Sequence, residues 1–358
     1  MSLDFNYGIV AAILSWLVVG LLVKKAPQLG LVDRPNERSS HTKITPRGGG
    51  IGIVLAWLIG CIAWWNFAGK ALIDSWGISI YLFASLLVAG VSLRDDFRSV
   101  GAGMRFGVHL IAALAVVLSF GYFKTFHLGC SLHLGWVGLL VTVFWIVGLT
   151  NVFNFMDGID GIAGTQGMIA GLAWTIGGIG VGLPAISVMG AISAGVCIGF
   201  LIKNWHPAKI FMGDVGSAFL GFVFGVMPVL ALAQRSPALD PTVKTKLPVF
   251  AVLVVWPFVA DGTFTFCRRL IKRERVWEAH RSHLYQRMVQ AGWSHAAVTI
   301  YYGFWAVFCA IAAALYLMGE FEISVWVVPA LFSISTWYLT ISLERRKCTS
   351  SGVPIPGL

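Results

Sequence analysis

The chain has 358 residues, of which 57% are hydrophobic and only 12% charged, with a mean hydropathy of +0.80 and a formal net charge of +10 at pH 7. Soluble domains carry about 25% charged residues, so this chain has roughly half the usual supply. The composition therefore excludes an ordinary cytosolic enzyme, a secreted disulfide scaffold and a disordered protein.

Eleven apolar runs are long enough to cross a membrane, at about 20 residues per crossing. They lie at about 5–23, 49–67, 77–93, 106–123, 134–152, 162–180, 183–202, 216–234, 247–266, 297–317 and 324–343. We therefore predict an all-α polytopic membrane protein with about eleven transmembrane helices. The integral membrane domain is predicted to cover 1–343, and a short cytoplasmic tail to cover 344–358.

The distribution of basic residues predicts the orientation of these helices. With the N-terminus outside, 21 of the 26 Lys and Arg residues fall in inside segments. Positive residues remain in the cytoplasm, so we expect an outside N-terminus and an inside C-terminus. This assignment requires that 162–180 and 183–202 form two helices. The first run lacks a basic segment and a small-residue cleavage site, so we expect it to be retained.

Several carboxylates gather on the predicted cytoplasmic side, in loops or at helix ends. They are Asp33, Asp95, Asp96, Asp157, Asp160 and Asp214. Carboxylates beside apolar spans are costly unless they are paired or bind a cation. A membrane transporter of a nucleotide sugar or anion, the alternative function, would more often place them near the midplane. Their position favours an enzyme that meets a soluble substrate on one side and a lipid on the other.

Two acidic motifs are typical of cation or phosphate binding. Asp95 and Asp96 follow an apolar helix, and because adjacent carboxylates repel, a nearby cation is expected; the alternative is a solvated helix end. In the segment Asn151–Gly161, asparagines and aspartates follow an apolar helix and two glycines then break it. Such a turn lets backbone NH groups approach an anion and oxygen side chains approach a cation, with a simple turn as the alternative.

Three further patterns have alternative interpretations. Asp214 lies in a Gly-Asp-x-Gly-Ser sequence at a predicted helix start, where it is either a ligand or only an N-cap. His280 and His283 lie in the most basic loop, but no third histidine or cysteine is near, so zinc has little support. Residues 48–52 are glycine-rich without a Walker lysine, so they are a weak phosphate loop or simply begin a helix.

Together, these clusters and their order on eleven spans resemble the polyprenyl-phosphate N-acetylhexosamine-1-phosphate transferases, glycosyltransferase family 4. The matching stretches are Gly30–Arg38 with Thr45–Gly50, Asp95–Asp96, Asn151–Gly164 and His206–Gly221. The resemblance covers about residues 28–290. It implies transfer of a sugar 1-phosphate from a UDP-sugar to a lipid phosphate, with release of UMP.

The functional residues of the family fall on eleven positions of this chain. The implied metal ligands are Asn154 and Asp214. The implied catalytic residues are Asp95, Asp96, Asp157 and Asp160. The implied substrate-binding residues are Asn204, Phe211, His280, Arg281 and His283.

Each group of positions has an implied task. The acidic pair Asp95 and Asp96 would activate the lipid phosphate, while Asn204 and Phe211 would contact the uracil side of the nucleotide. The implied cofactor is Mg2+, with Mn2+ as the alternative ion. Because the phosphates of both substrates must meet, a divalent ion and Arg281 are needed to neutralise their repulsion.

The last loop departs from the pattern of transferases that use N-acetylglucosamine. These carry His-Arg-x-His-x-His-His, whereas here Tyr285 and Gln286 replace the final two histidines. This resembles the branch that starts O-antigen chains in lipopolysaccharide synthesis. It weakens the assignment of N-acetylglucosamine as the donor sugar and argues against the peptidoglycan enzyme.

The resemblance also implies partners and a location. The partners are a UDP-N-acetylhexosamine, undecaprenyl phosphate and the membrane lipid, with no nucleic acid, and a homodimer is left open. The expected location is the bacterial inner (plasma) membrane, with multiple passes and a cytoplasmic active-site cleft.

Overall fold

The computed structural model describes residues 2–33, 35, 44–235, 239–275 and 280–351. The α-helices in these ranges are α1 Ser2–Lys25, α2 Gly50–Phe67, α3 Ser75–Phe97, α4 Ala102–Phe120, α5 Val137–Met156, α6 Ile162–Gly180, α7 Pro184–Asn204, α8 Asp214–Ala233, α9 Pro241–Val254, α10 Trp256–Ile271, α11 Leu284–Gln290, α12 His295–Leu317 and α13 Ser324–Ser351. Two small antiparallel hairpins are formed by β1 Val32–Asp33 with β2 Thr45–Pro46 and by β3 Thr125–His127 with β4 Ser131–His133. The predicted all-α polytopic fold is confirmed.

Nine helices of the described part of the chain are long and apolar enough to cross a membrane, and the bent pair α9–α10 would make ten. The predicted number of eleven is therefore higher than these criteria give. The difference is α6, which matches the predicted run 162–180 but is rich in glycine and carries the polar Gln166. Lipid-facing surfaces elsewhere expose large apolar side chains such as Leu118 and Phe144.

The predicted span at 247–266 is not one straight helix, because a break at Val255 divides this segment into α9 and α10, which meet at 71° and together form one bent candidate span. Pro257 lies just after the break. Proline lacks the backbone N–H of the helical ladder and disfavours helical geometry at the residue before it. The uninterrupted apolar run hides this bend in the sequence.

Helix α8 forms the centre of the bundle and packs against α2, α3, α4, α5, α7 and α9. It is apolar on all sides, which is the pattern of a helix surrounded by other helices. The Trp57 ring packs against Phe219 of α8, and the Phe153 ring packs against Phe224 of the same helix. The first residue of this central helix is Asp214, so the bundle places that carboxylate where several helices end.

The predicted division of 162–202 into two helices is confirmed, because α6 and α7 form an antiparallel pair. Their backbones approach so closely that a Cβ atom on Gly171 would lie 2.4 Å from the Ala194 nitrogen. Helix α1 lies parallel to α7, since Ser187 donates to Asp4 near both N-termini. A parallel arrangement is what the predicted orientation of the first and seventh spans requires.

Parts of two sequence predictions lie outside the described residues. These are Arg34 and 36–38 of the first matching stretch and 352–358 of the tail. Helix α13 continues past residue 343 to Ser351, and Glu344 accepts two hydrogen bonds of 2.7 Å from Arg287. The division into a membrane domain and a tail remains a prediction.

The predicted orientation can be tested with native cysteines. Cys130 is exposed in the turn between β3 and β4, whereas Cys348 lies near the end of α13. In single-cysteine variants in right-side-out vesicles, we expect an impermeant maleimide to label Cys130 at once and Cys348 only after permeabilisation. Labelling of Cys348 in sealed vesicles would show that the orientation is the reverse of the predicted one.

Candidate active site

The predicted acidic residues meet at one end of the helix bundle. Asp95 and Asp96 end α3, Asn154 and Asp157 lie at the end of α5, and Asp214 begins α8. Like charges repel across this group, since Asp96, Asp160 and Asp214 all act on Asp157. Residues separated by up to 119 positions in the chain therefore share one polar site.

Asp96 is a buried cap for the central helix. Its two carboxylate oxygens accept hydrogen bonds of 3.1 Å from the backbone nitrogens of Asp214 and Val215. Gly213 is the N-cap residue of α8 and Asp214 is its first residue. The interpretation of Asp214 as only an N-cap is therefore wrong, and its side chain, 37% exposed, is available to a ligand.

Arg105, at the start of α4, is the cation that joins two of these carboxylates. Its guanidinium Nη1 lies 2.6 Å from Asp95 and 3.3 Å from Asp214. On the other side of the site, Arg47 lies 3.9 Å from Asp96. The pair Asp95–Asp96 is therefore more than a solvated helix end, because its members have different partners. The sequence interpretation missed Arg105, although an arginine in the first turn of an apolar helix is a usable signal.

Asp157 has a carboxyl group with a strongly raised pKa. Burial, followed by repulsion from Asp214, Asp96 and Asp160, raises its pKa to about 8. Asn154, one turn earlier, donates a 3.2 Å hydrogen bond to Ser217 of α8 and lies beside the Asp214 carboxylate. At this end of the bundle, carboxyl groups therefore outnumber the two nearby arginines, Arg47 and Arg105.

The raised pKa of Asp157 has a consequence for stability. An unfolded aspartate has a pKa of about 3.9, so the folded protein holds this proton more tightly, and the resulting stability is lost as the pH rises from about 4 to about 8. We expect EDTA-treated protein to unfold at a lower temperature at pH 8 than at pH 5, and Asp157→Asn to reduce this difference. Asp240→Asn, at the cap of α9 at the opposite end, serves as the control. An unchanged difference in Asp157→Asn would contradict the charge assignment.

Asp160 lies between two imidazoles, which connect the turn after α5 to the segment after α7 and to the start of α12. Its carboxylate is 2.6 Å from Nδ1 of His206 and 3.4 Å from Nδ1 of His295, and the Ala208 N–H also donates to it. Burial raises the pKa of Asp160, but these hydrogen bonds outweigh burial and lower it overall. His295, which sequence reasoning missed, is at the start of α12.

The uracil-side candidates lie in the connection between α7 and α8. Asn204 is buried, and its amide accepts from the Gly161 N–H and donates to the Ile210 carbonyl, both at 2.9 Å. Phe211 is half-buried and pairs its backbone with Pro46 and Gly49. Asn204 thus fixes the turn that carries Asp160, whereas the Phe211 ring remains partly accessible.

The glycines at 48–52 begin α2 and allow close helix packing. A Cβ atom on Gly50 would lie 2.3 Å from the backbone nitrogen of Gly216 in α8. The N–H groups of Gly49 and Gly50 donate to the carbonyls of Phe211 and Met212. These donors are occupied by protein, which favours the helix-start interpretation over the phosphate loop.

The basic loop, which carries His280 and His283, lies beside the acidic turn after α5, which carries Asp157 and Asp160. His280 and His283 stack with ring centroids 5.0 Å apart, and burial together with nearby His283 and arginine charges lowers the pKa of His280 to about 4. Tyr285 is buried and donates to the Phe155 carbonyl at the end of α5. A Cβ atom on Gly158 would lie 2.2 Å from the Tyr285 hydroxyl, so the loop packs directly against the turn.

Comparisons with known proteins identify the family of this chain. A family model described as Glycosyl transferase family 4 matches residues 78–232. A phospho-N-acetylmuramoyl-pentapeptide-transferase of Deinococcus radiodurans is 31% identical over 333 residues, covering 87% of this chain and 98% of the relative. The chain belongs to glycosyl transferase family 4.

Other relatives of this family 4 member have related names. A probable undecaprenyl-phosphate N-acetylglucosaminyl 1-phosphate transferase of Bacillus subtilis is 29% identical, covering 80% of this chain and 77% of the relative. A decaprenyl-phosphate N-acetylglucosaminephosphotransferase of Mycobacterium leprae is also 29% identical, covering 86% and 82%. The family 4 protein is therefore a phosphoglycosyltransferase and a multi-pass membrane protein, and the predicted enzyme class is confirmed over the alternative of a transporter.

Proposed function

We propose that this family 4 member transfers an N-acetylhexosamine 1-phosphate from a UDP-sugar to undecaprenyl phosphate. An oxygen of the lipid phosphate forms a bond to the β-phosphorus of the donor, the bond between that phosphorus and the bridging oxygen breaks, and UMP leaves. The product is a lipid diphosphate that carries the sugar. The observation that carries the proposal is the convergence of acidic and amide side chains from α3, α5 and α8 at one end of the bundle.

The site fits a magnesium ion. Asn154 and Asp214 offer oxygen atoms, which Mg2+ prefers, and the neighbouring carboxylates that add to burial in raising the pKa of Asp157 favour a divalent cation. Asn154 and Asp214 would hold the ion, whose charge would stabilise the phosphate oxygens and the departing UMP. The group of Asp160, His206 and His295 offers mainly nitrogen and suits this ion less well.

Charged side chains of the protein would position the substrates and neutralise their phosphates. Arg105 holds Asp95 and Asp214 together despite their like charges, which keeps both carboxylates in the site. Asp95 would accept a proton from the lipid phosphate or orient it, and Asp157 and Asp160 would shape the nucleotide end. Arg281, in the basic loop that packs on Gly158, would neutralise donor phosphates.

The names of the Bacillus subtilis and Mycobacterium leprae relatives favour N-acetylglucosamine as the first donor to test. Tyr285 and Gln286, which replace two histidines, weaken this choice less than the sequence suggests. Tyr285 is fully buried, and Gln286 accepts from the His283 N–H, so both positions serve packing of the loop. The assignment to the O-antigen branch, and thus to lipopolysaccharide synthesis, remains a proposal, as does a cytoplasmic site in the plasma membrane.

The test of the proposed function is UMP release by purified protein with a panel of UDP-sugars. We expect UMP only when a UDP-N-acetylhexosamine and undecaprenyl phosphate are both present, with loss in EDTA and recovery on addition of Mg2+. UDP-glucose is the matched control for the acetamido group. Absence of UMP with every donor, or release that does not depend on the lipid, would contradict the proposal.

A further inference from the structure

A buried carboxylate behind the basic loop has no role in the function described so far. Asp261 lies in α10 and is 0% exposed. Burying an ionised carboxylate among apolar helices is costly unless donors satisfy it. Here five hydrogen-bond donors contact it, from α10, α11, α12 and the residue His283 that precedes α11. Asp261 therefore holds these elements together, and we call it the anchor of this region.

Three of the five donors belong to the basic loop and the start of α11. Nδ1 of His283 lies 3.2 Å from Oδ1 of Asp261, and the Leu284 N–H donates to the same oxygen at 2.9 Å. The Tyr285 N–H donates to Oδ2 at 3.1 Å. Since an ionised carboxylate can only accept, the His283 proton is on Nδ1, which fixes the orientation of the ring.

The other two donors hold the carboxylate from behind. Tyr302 of α12 donates to Oδ2 at 2.7 Å, and Thr265, one turn along α10, donates to Oδ1 at 3.1 Å. Further along α10, Arg268 donates to the Ser282 carbonyl at 3.2 Å. One face of α10 therefore holds the loop at several points, and the Asp261 carboxylate makes most of these contacts.

Contacts continue from this anchor to the candidate site. The His283 ring stacks between His280, at 5.0 Å, and Tyr285, at 5.8 Å. Tyr285 in turn bonds Phe155 at the end of α5, next to the turn that holds Asp157. A shift of His283 would therefore move both His280 and the contact with the acidic turn.

We propose that Asp261 is a positioning residue that fixes His283 and the start of α11, and thereby places the loop His280–His283 against the sugar nucleotide. This inference rests on the proposed function for the identity of the substrate. Asp261 itself touches no reacting atom in the proposal and acts through the loop. An amide at this position could accept only through its oxygen, so Asp261→Asn leaves some of the five donors without an acceptor.

The test compares wild type, Asp261→Asn, His283→Ala, the double variant and Thr265→Val. We expect Asp261→Asn to lower kcat/KM for the UDP-sugar about 100-fold, because small displacements of positioning groups are costly. The loss should raise KM for the sugar nucleotide and leave KM for undecaprenyl phosphate within about twofold, whereas loss of folded protein would leave both constants unchanged. In the double variant, the two losses should fall well short of additive. Thr265→Val, which removes a donor to the same carboxylate away from the loop, should remain close to wild type.

Hydrogen exchange provides a readout that does not depend on activity. The amides of Leu284 and Tyr285 should exchange faster in Asp261→Asn than in wild type and Thr265→Val. If Asp261→Asn does not fold, His283→Ala breaks the same contact from the loop side and should show the same faster exchange. Unchanged exchange in the folded variant, or additive kinetic losses, would overturn the inference. Wild-type protein that releases no UMP would instead overturn the proposed function, while the exchange data would still report on Asp261.

Discussion

Asp214→Asn is expected to lower the rate of UMP release about a thousandfold while the protein still inserts and folds. The side chain is partly exposed at the start of α8, beside Asn154, and it does not cap the helix, because Asp96 accepts from the first two N–H groups. Asparagine keeps the size of the side chain and removes the charge that would hold the cation. The loss should therefore come from chemistry and from metal dependence.

The control for this variant is Asp240→Asn. Asp240 is the N-cap of α9 and accepts from the Thr242 N–H at 2.8 Å, a function that asparagine performs about as well. It should retain wild-type turnover. An Asp214→Asn protein with normal turnover and an ordinary response to Mg2+ would show that the metal lies elsewhere, with Asp95 and Asp96 as the next candidates.

Asp95→Asn is expected to lose about half of its turnover at pH 6, more at lower pH, and almost none at pH 8. A phosphate monoester has its second pKa near 6, so the lipid phosphate is mostly dianionic above pH 7 and needs no base there. The measurement is the ratio of variant to wild-type turnover over this pH range.

In the structure Asp95 also holds Arg105, and the same pH measurement distinguishes this role from proton acceptance. Asp95 lies 2.6 Å from Arg105, so its removal frees that arginine to pair more closely with Asp214. A loss that is equally large at pH 6 and pH 8 would indicate that Asp95 only holds Arg105. Arg105→Met should then show the same pH-independent loss. Full activity of Asp95→Asn at pH 6 would remove Asp95 from the mechanism.

The fold could be predicted from hydropathy as far as the all-helical class and the approximate ends of most long helices. The apolar runs at 183–202 and 216–234 correspond closely to α7 and α8. The bend at Val255 could not be predicted, because residues 247–266 form one continuous run and only Pro257 marks the break. Hydropathy also says little about α6, whose glycines serve close contact with α7.

The gathering of aspartates could be predicted because membrane topology places alternate helix ends on the same side. Asp96, Asp157 and Asp214 follow this rule and lie together in the structure. The division of tasks among them could not be predicted, because it depends on which carboxylate reaches the N-terminus of α8. Asp96 does so, and the Asp214 side chain, which does not cap the helix, lies beside Arg105 and Asn154.

The residues that sequence reasoning missed are partners of the predicted ones. Arg105, Asp261 and His295 contact Asp214, His283 and Asp160, respectively, and each of these partners lies on a different helix or in a loop. Such pairs depend on tertiary packing. Asp261 nevertheless left a signal, since a carboxylate inside an apolar run is expensive and calls for partners.

The most direct test of the account is the mass of the lipid product together with the identity of the released nucleotide. Wild-type protein with UDP-N-acetylglucosamine, undecaprenyl phosphate and Mg2+ should form a lipid diphosphate that carries the sugar, together with an equal amount of UMP. A lipid monophosphate carrying the sugar, released with UDP, would show attack at the sugar carbon and would contradict the transfer of a sugar 1-phosphate.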